Sequence, residues 1–205
     1  MSATQDTSFA RLVSLACHDL RTPLATVYGF ARTLMRDDGL GEPASRYVEM
    51  IESASQQLGE LLDELGLASR IEAGRYEPTL KETDTADLAR AAAERLGDER
   101  VGVSGQGGAV WVDVDATDRA VSALAQCALR HGGLQHVDVA AEGAAITISP
   151  ITKSSAPVVL GEELRDLGAA VAVRLVRRLG GSVVVDGETL TITLPTDESA
   201  RAAGP

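Results

Sequence analysis

His18-Asp19-Leu20-Arg21-Thr22-Pro23-Leu24 decides how this chain is read. Residues at i and i+4 share a helix face, so Thr22 stands one turn on from His18, on the same surface. Asp19 lies about 100° round that helix, close enough to orient or deprotonate the imidazole. Outward from this stretch, Phe9, Val13, Ala16, Leu20, Pro23, Val27, Phe30 and Leu34 are spaced alternately four and three residues apart. That spacing predicts a long helix whose apolar seam packs in a bundle. His18 lies two residues from both Ala16 and Leu20, so it is expected to point away from the seam. Pro23 removes a backbone donor in mid-helix. A kink is expected there rather than an end, because the seam resumes in phase at Val27.

Asp37-Asp38-Gly39-Leu40-Gly41-Glu42-Pro43 reads as a turn, with Pro43 suited to a first helical position. Tyr47, Ile51, Ala54, Leu58, Leu61, Leu65 and Ala68 then repeat the four-three spacing, and this helix is expected to fade near Gly74. Two antiparallel helices cannot bury both stripes alone. Pairing two hairpins into a four-helix bundle does so, and a homodimer held by residues 7–74 is expected.

Composition narrows the function classes. The chain of 205 residues supports one or two domains, and its 44% hydrophobic content allows a sizeable core. Only 3% is aromatic, so Ala, Val and Leu must do the packing. A net charge of −11 without basic clusters argues against direct nucleic-acid binding, whose affinity comes mostly from phosphate neutralisation. No apolar run approaches the length of a membrane span, and the first residues lack the pattern of a signal peptide. Cys17 and Cys127 show no metal-ligand spacing and suggest reduced thiols in a cytoplasmic protein. Cys17 is read as a small packing residue.

From residue 80 the periodicity changes. Asp84-Thr85-Ala86-Asp87 can cap a helix with Leu88, Ala92 and Leu96 on one face. Val110, Val112 and Val114 alternate as a strand, and a helix is expected from about Thr117 to Arg130. Val137 with Val139, and Ile146 with Ile148, read as strands of a hairpin around Glu142-Gly143. Residues 164–179 are expected to be helical, and the strands on either side of Asp186-Gly187 to form a second hairpin. The fold class is therefore α+β, a helical hairpin over residues 1–76 followed by a two-layer α/β sandwich over residues 77–205. His131 and His136 have no metal-like partner spacing and read as surface residues, so no metal site is expected. Gly107-Gly108 and Gly132-Gly133 are turn signals without a following Lys-Ser or Lys-Thr, so no P-loop is indicated. Arg174, Arg177 and Arg178 form a basic helical patch, read as a solvated face.

The heptapeptide around His18 resembles the phosphoacceptor box of two-component sensor histidine kinases. The hairpin resembles their dimerisation and phosphotransfer domain, and Leu67-Ala68-Ser69-Arg70-Ile71-Glu72-Ala73-Gly74 looks like its usual ending. In order and length the elements after residue 80 resemble the ATP-binding domain of that family, whose fold is shared with gyrase-type ATPases. The resemblance covers the chain from Phe9 to Pro195. Its nucleotide contacts are missing, however. Ala123 and Cys127 fall at the two Asn positions of the magnesium-binding helix, and a neutral thiol is a poor magnesium ligand. Ser149-Pro150-Ile151-Thr152 stands where the family has an Asp-x-Gly-x-Gly loop. Asp166-Leu167-Gly168-Ala169 stands where a Gly-x-Gly loop lets backbone amides approach phosphate, and Asp166 would oppose a triphosphate there.

A histidine box beside a domain without ATP contacts is similar to the histidine phosphotransferases of bacterial phosphorelays. That resemblance implies a phosphoryl group passed between response regulator receiver domains through His18. It implies His18 as nucleophile, Asp19 as orienting group and proton acceptor, Arg21 offsetting phosphate charge and Thr22 placing a water. No cofactor is expected on this chain, with magnesium supplied by the receiver. Two other readings stand beside it. One is an active histidine kinase with an atypical ATP site; the other is a non-catalytic adaptor that binds response regulators.

Overall fold

A computed structural model describes residues 3–36, 41–97 and 99–197, without the side chains of residues 3–12, 14–16 and 19. The chain divides into two compact units, Met1–Tyr76 and Glu77–Pro205.

The first unit is a helical hairpin of α1 (Ala3–Leu34) and α2 (Glu42–Glu72). The turn expected at residues 37–40 lies outside the described residues. Helix α1 runs unbroken through Pro23, as the resumed seam required. Arg21 pairs with Asp63 at 2.7 Å and Arg32 with Glu52 at 3.5 Å. A step forward along α1 is thus matched by an equal step back along α2, which fixes the helices as antiparallel. Helix α2 ends at Glu72, and Gly74 follows with φ +65°.

Small residues make the inner face of this hairpin. Cys17, Ala31, Val48 and Ser55 are all buried, and the Ser55 hydroxyl donates to the Ile51 carbonyl at 2.7 Å. A Cβ at Gly59 would sit 3.9 Å from Leu24 Cδ2, so the glycine lies against α1. Cys17, Leu24 and Ala31 recur every seven residues and face Val48, Ser55 and half-buried Leu62. Within one hairpin the interior is the heptad column beside the seam read from the sequence. The seam lies outside: Leu20 is 54% exposed, Phe30 68% and Leu58 52%, with Val27, Leu34, Tyr47, Ile51, Leu61 and Leu65 also open. Of the seam, the side chains of Phe9 and Ala16 lie outside the described residues.

The second unit is a two-layer sandwich. Its elements are β1 (Leu80–Asp84), α3 (Thr85–Leu96), β2 (Val101–Gly107), β3 (Ala109–Asp113), α4 (Val114–Gly132), β4 (Val137–Glu142), β5 (Ala145–Ser149), the single turn α5 (Ala156–Val159), α6 (Leu167–Arg178), β6 (Ser182–Asp186) and β7 (Thr189–Thr193). The main sheet runs β2-β4-β5-β7-β6, with β2 parallel to β4 and the rest antiparallel; β1 pairs with β3 apart from it. Alternate residues Val137, Val139, Ile146, Ile148, Leu190 and Ile192 are fully buried, whereas Asp138 is exposed and Thr147 and Thr191 only half-buried. This alternation is what covering one sheet face with helices requires. Leu88, Ala92, Val121, Leu124, Ala125 and Leu175 supply the opposing layer from α3, α4 and α6.

Each long helix of this unit begins at an aspartate. Asp84 Oδ1 accepts from the Ala86 amide at 2.7 Å, Asp113 Oδ1 from Ala116 at 3.3 Å, and Asp166 Oδ1 from Ala169 at 3.1 Å. Such a cap satisfies an amide that the helix itself cannot. Asp84→Ala is expected to lower stability by about 1 kcal/mol. Urea unfolding checks this: the midpoint should fall while the slope stays constant. Two expectations need correction. The last long helix starts at Leu167 rather than 164, because Asp166 caps it and Leu164 is 72% exposed. The stretch Val101-Gly102-Val103-Ser104-Gly105-Gln106-Gly107, not anticipated as a strand, forms β2. Gly105 there has φ +92°, and a Cβ on it would run into the Ala141 carbonyl.

Candidate functional site

On α1, His18 is exposed and so are Arg21 and Thr22, one turn on. The neighbouring Cys17 is buried, so the helix presents His18 outward while its inner side packs. The side chain of Asp19 lies outside the described residues. Arg21, expected to offset phosphate charge, is already engaged: its Nη2 donates to Asp63 Oδ1 at 2.7 Å. Both partners are about half exposed, so the pair is worth at most about 1 kcal/mol and can be exchanged. The Thr22 carbonyl accepts from the Thr26 hydroxyl at 3.2 Å, in the turn where Pro23 has no N–H to offer residue 19.

In the second unit, the positions compared with a nucleotide site converge at the end of α4 and the start of α6. Ala123 is half-buried and Cys127, one turn on, is completely buried. Burial pushes the Cys127 thiol up to about 12, with the nearby Asp166 carboxylate adding to this and Arg130 partly opposing it. A thiol so raised is neutral at ordinary pH. His131 does not belong to the open surface, as the sequence had suggested. Its side chain is 15% exposed, and Nε2 lies 3.2 Å from Asp166 Oδ2. Arg130 Nη1 reaches the same oxygen at 3.3 Å. The ligand atoms of Cys127, His131 and Asp166 all lie within 4.8 Å of one another. Cys127 and His131 show no metal-like spacing in the sequence, but the fold brings Asp166 to both from a distant part of the chain.

The segment between β5 and α6 is tied down beside this group. The Ser149–Pro150 peptide is cis, and the Thr152 hydroxyl bonds those of Ser154 and Ser155 at 3.0 and 3.1 Å. The Ser154 hydroxyl donates to the His131 carbonyl at 3.1 Å, and Val158 and Val159 of α5 are completely buried. Gly168 is half-buried in the first turn of α6. His136 is a surface residue, contacting Asp138 Oδ1 at 3.3 Å. Arg177 and Arg178 are exposed, but Arg174 is half-buried and donates to the Ala170 carbonyl at 2.9 Å. Sequence reasoning missed Asp63 as the partner of Arg21, and the pairing of His131 with Asp166. The four-residue spacing of Cys127 and His131 on one helix was a usable signal for the second.

Residues 10–74 match the family model of the His Kinase A (phospho-acceptor) domain. The match spans nearly all of the hairpin that carries His18. Histidine protein kinase DivJ of Caulobacter vibrioides is 29% identical over a 222-residue alignment, covering 91% of this chain and 37% of DivJ. Sensor protein DivL of the same organism is 33% identical over 86 residues, or 42% of this chain and 11% of DivL. Full-length ShkA, solved in complex with AMPPNP, superposes with a TM-score of 0.65 at 18% identity, covering 91% of this chain and 47% of that one. The Acinetobacter baumannii histidine kinase AdeS gives 0.55 at 16% identity, covering 88% of this chain and 98% of its own. At such identities the two structures speak to the fold alone, a helical hairpin followed by a two-layer α/β sandwich. The chain spans well under half the length of either curated relative. The chain is thus similar to a phospho-acceptor domain over residues 10–74 and to histidine kinases along most of its length. No helix among the described residues is long and apolar enough to cross a membrane.

Proposed function

We propose that this chain is a histidine phosphotransferase of a two-component phosphorelay, working through His18. An imidazole nitrogen of His18 attacks the phosphorus of a receiver domain's aspartyl phosphate. The P–O bond to the aspartate breaks, that carboxylate leaves, and an N–P bond forms. A second receiver aspartate reverses these steps. Asp19 orients the ring and takes the proton that the imidazole sheds. Arg21 exchanges Asp63 for the incoming phosphoryl charge, and Thr22 places a water for hydrolysis. In-line positioning and charge stabilisation carry most of such a transfer, with magnesium held in the receiver's acidic pocket. The partners are receiver domains and a second copy of the chain, paired through the exposed stripes on α1 and α2.

The observation that carries this reading is Cys127. A completely buried, neutral thiol beside the Asp166 carboxylate stands where the kinase resemblance calls for a magnesium-binding amide. Magnesium demands hard oxygen donors, and Asp166 adds a negative charge where a triphosphate would lie. The kinase reading has its own support, the DivJ match across 91% of the chain. Calorimetry with millimolar ATP and magnesium separates the two. Phosphotransferase function is expected to show no binding. A dissociation constant below about 100 µM, roughly −5.5 kcal/mol, establishes the kinase alternative instead. If His18 takes label from neither ATP nor a phosphorylated receiver, the adaptor reading replaces both.

A further inference from the structure

We propose that Cys127, His131 and Asp166 form a binding site for one soft divalent cation of the zinc class. Cys127 and His131 stand one turn apart on the same face of α4, so a single rigid helix presents both donors. Asp166 comes from the opposite side, fixed by its role as the first residue before α6. Its two oxygens are divided between tasks. Oδ1 accepts from the Ala169 amide at 3.1 Å, which leaves Oδ2 turned towards His131 Nε2 at 3.2 Å. The three donor atoms lie within 4.8 Å of one another, whereas tetrahedral zinc holds its ligands about 3.3–3.8 Å apart. Small side-chain rotations close that gap without moving either helix.

The donor set selects the ion. One sulfur, one imidazole and one carboxylate suit zinc or its soft neighbours and discriminate against magnesium, which prefers oxygen alone. Three protein ligands leave a fourth position for water, on the side where His131 is 15% and Asp166 9% exposed. Among the described residues, Arg130 competes through its 3.3 Å contact with Asp166 Oδ2. Its side chain is 60% exposed and can swing into solvent. On binding, the Cys127 S–H bond is replaced by a sulfur–metal bond and its proton passes to the buffer. The His131 ring carries its remaining hydrogen on Nδ1.

The test uses the full chain, stripped with a chelator and titrated first with cobalt(II), then with zinc. One equivalent of cobalt should give a thiolate-to-metal charge-transfer band that zinc abolishes, and magnesium should give nothing. Cys17→Ala should keep the band and Cys127→Ala should lose it. His131→Ala and Asp166→Asn should each weaken binding by more than the about 10–100-fold that loss of a mere orienting partner costs. Should Cys127→Ala fail to fold, His131→Ala carries the test, since its ring is partly exposed. Zinc should raise the melting temperature of the parent and not of that variant. A band that survives Cys127→Ala, no binding at about 100 µM cobalt or zinc, or an equal zinc shift in His131→Ala overturns the proposal.

Discussion

His18→Ala is expected to reduce phosphoryl uptake from a phosphorylated receiver by more than about 1,000-fold, which corresponds to about 4 kcal/mol of barrier. Among the described side chains beside it, Arg21 is paired with Asp63, and the Thr22 hydroxyl would form a different, base-labile ester. The substitution should leave the hairpin intact, because His18 is exposed and alanine is the better helix former. Labelled receiver, gel separation and an acid wash check this. Label on the parent should be lost in acid and kept in base, as a phosphoramidate requires. Asp19→Asn should slow transfer without abolishing it. If His18→Ala accepts label as fast as the parent, the phosphotransfer reading is wrong.

Leu61→Glu is expected to convert the protein from dimer to monomer. Leu61 is 48% exposed within a single hairpin, so a carboxylate there costs one chain little, within about 0.5 kcal/mol. In a four-helix bundle the same carboxylate is buried without a partner, at about 3–5 kcal/mol, which weakens association by about 100-fold or more. Light scattering should give the parent about twice the 21.4 kDa chain mass and the variant about that mass itself. Helix content should not change. A parent that is monomeric at micromolar concentration removes the dimer, whatever the variant does.

Much of the fold could be read from the sequence because its signals are local. The seams of α1 and α2, the aspartate before α3 and the Asp186-Gly187 turn each lie within a few residues of what they determine. The heptad spacing did not say which of two adjacent columns faces inward. Cys17 and Ala31 are buried in the hairpin with Leu24 half-buried between them, while Leu20 and Phe30 stay outside. Strand β2 was hidden by its three glycines, which disfavour a strand on their own and are held in it by pairing with β4. At the α4 end the obstacle was distance. Cys127 and His131 stand together in the sequence, but Asp166 meets them only after a hairpin and α5 have turned the chain back. His18 was legible as a motif. That Arg21 arrives already paired with Asp63 was not, because register between α1 and α2 is a tertiary fact.

The strand order of the second unit bears on how fast it folds. The β4–β5 and β6–β7 hairpins turn within two residues and close in about 1–10 µs. Uniting them means pairing Ala145 with Thr193, and adding β2 means pairing Val101 with Val137. Both steps close long stretches of chain, so their entropy cost falls before any contact compensates it. The two hairpins are therefore the early pieces and the complete sheet the late one. Helices α4 and α6 belong to the crossing segments and reach their final packing only as the sheet closes, which makes the meeting of Cys127 and His131 with Asp166 one of the last events in folding.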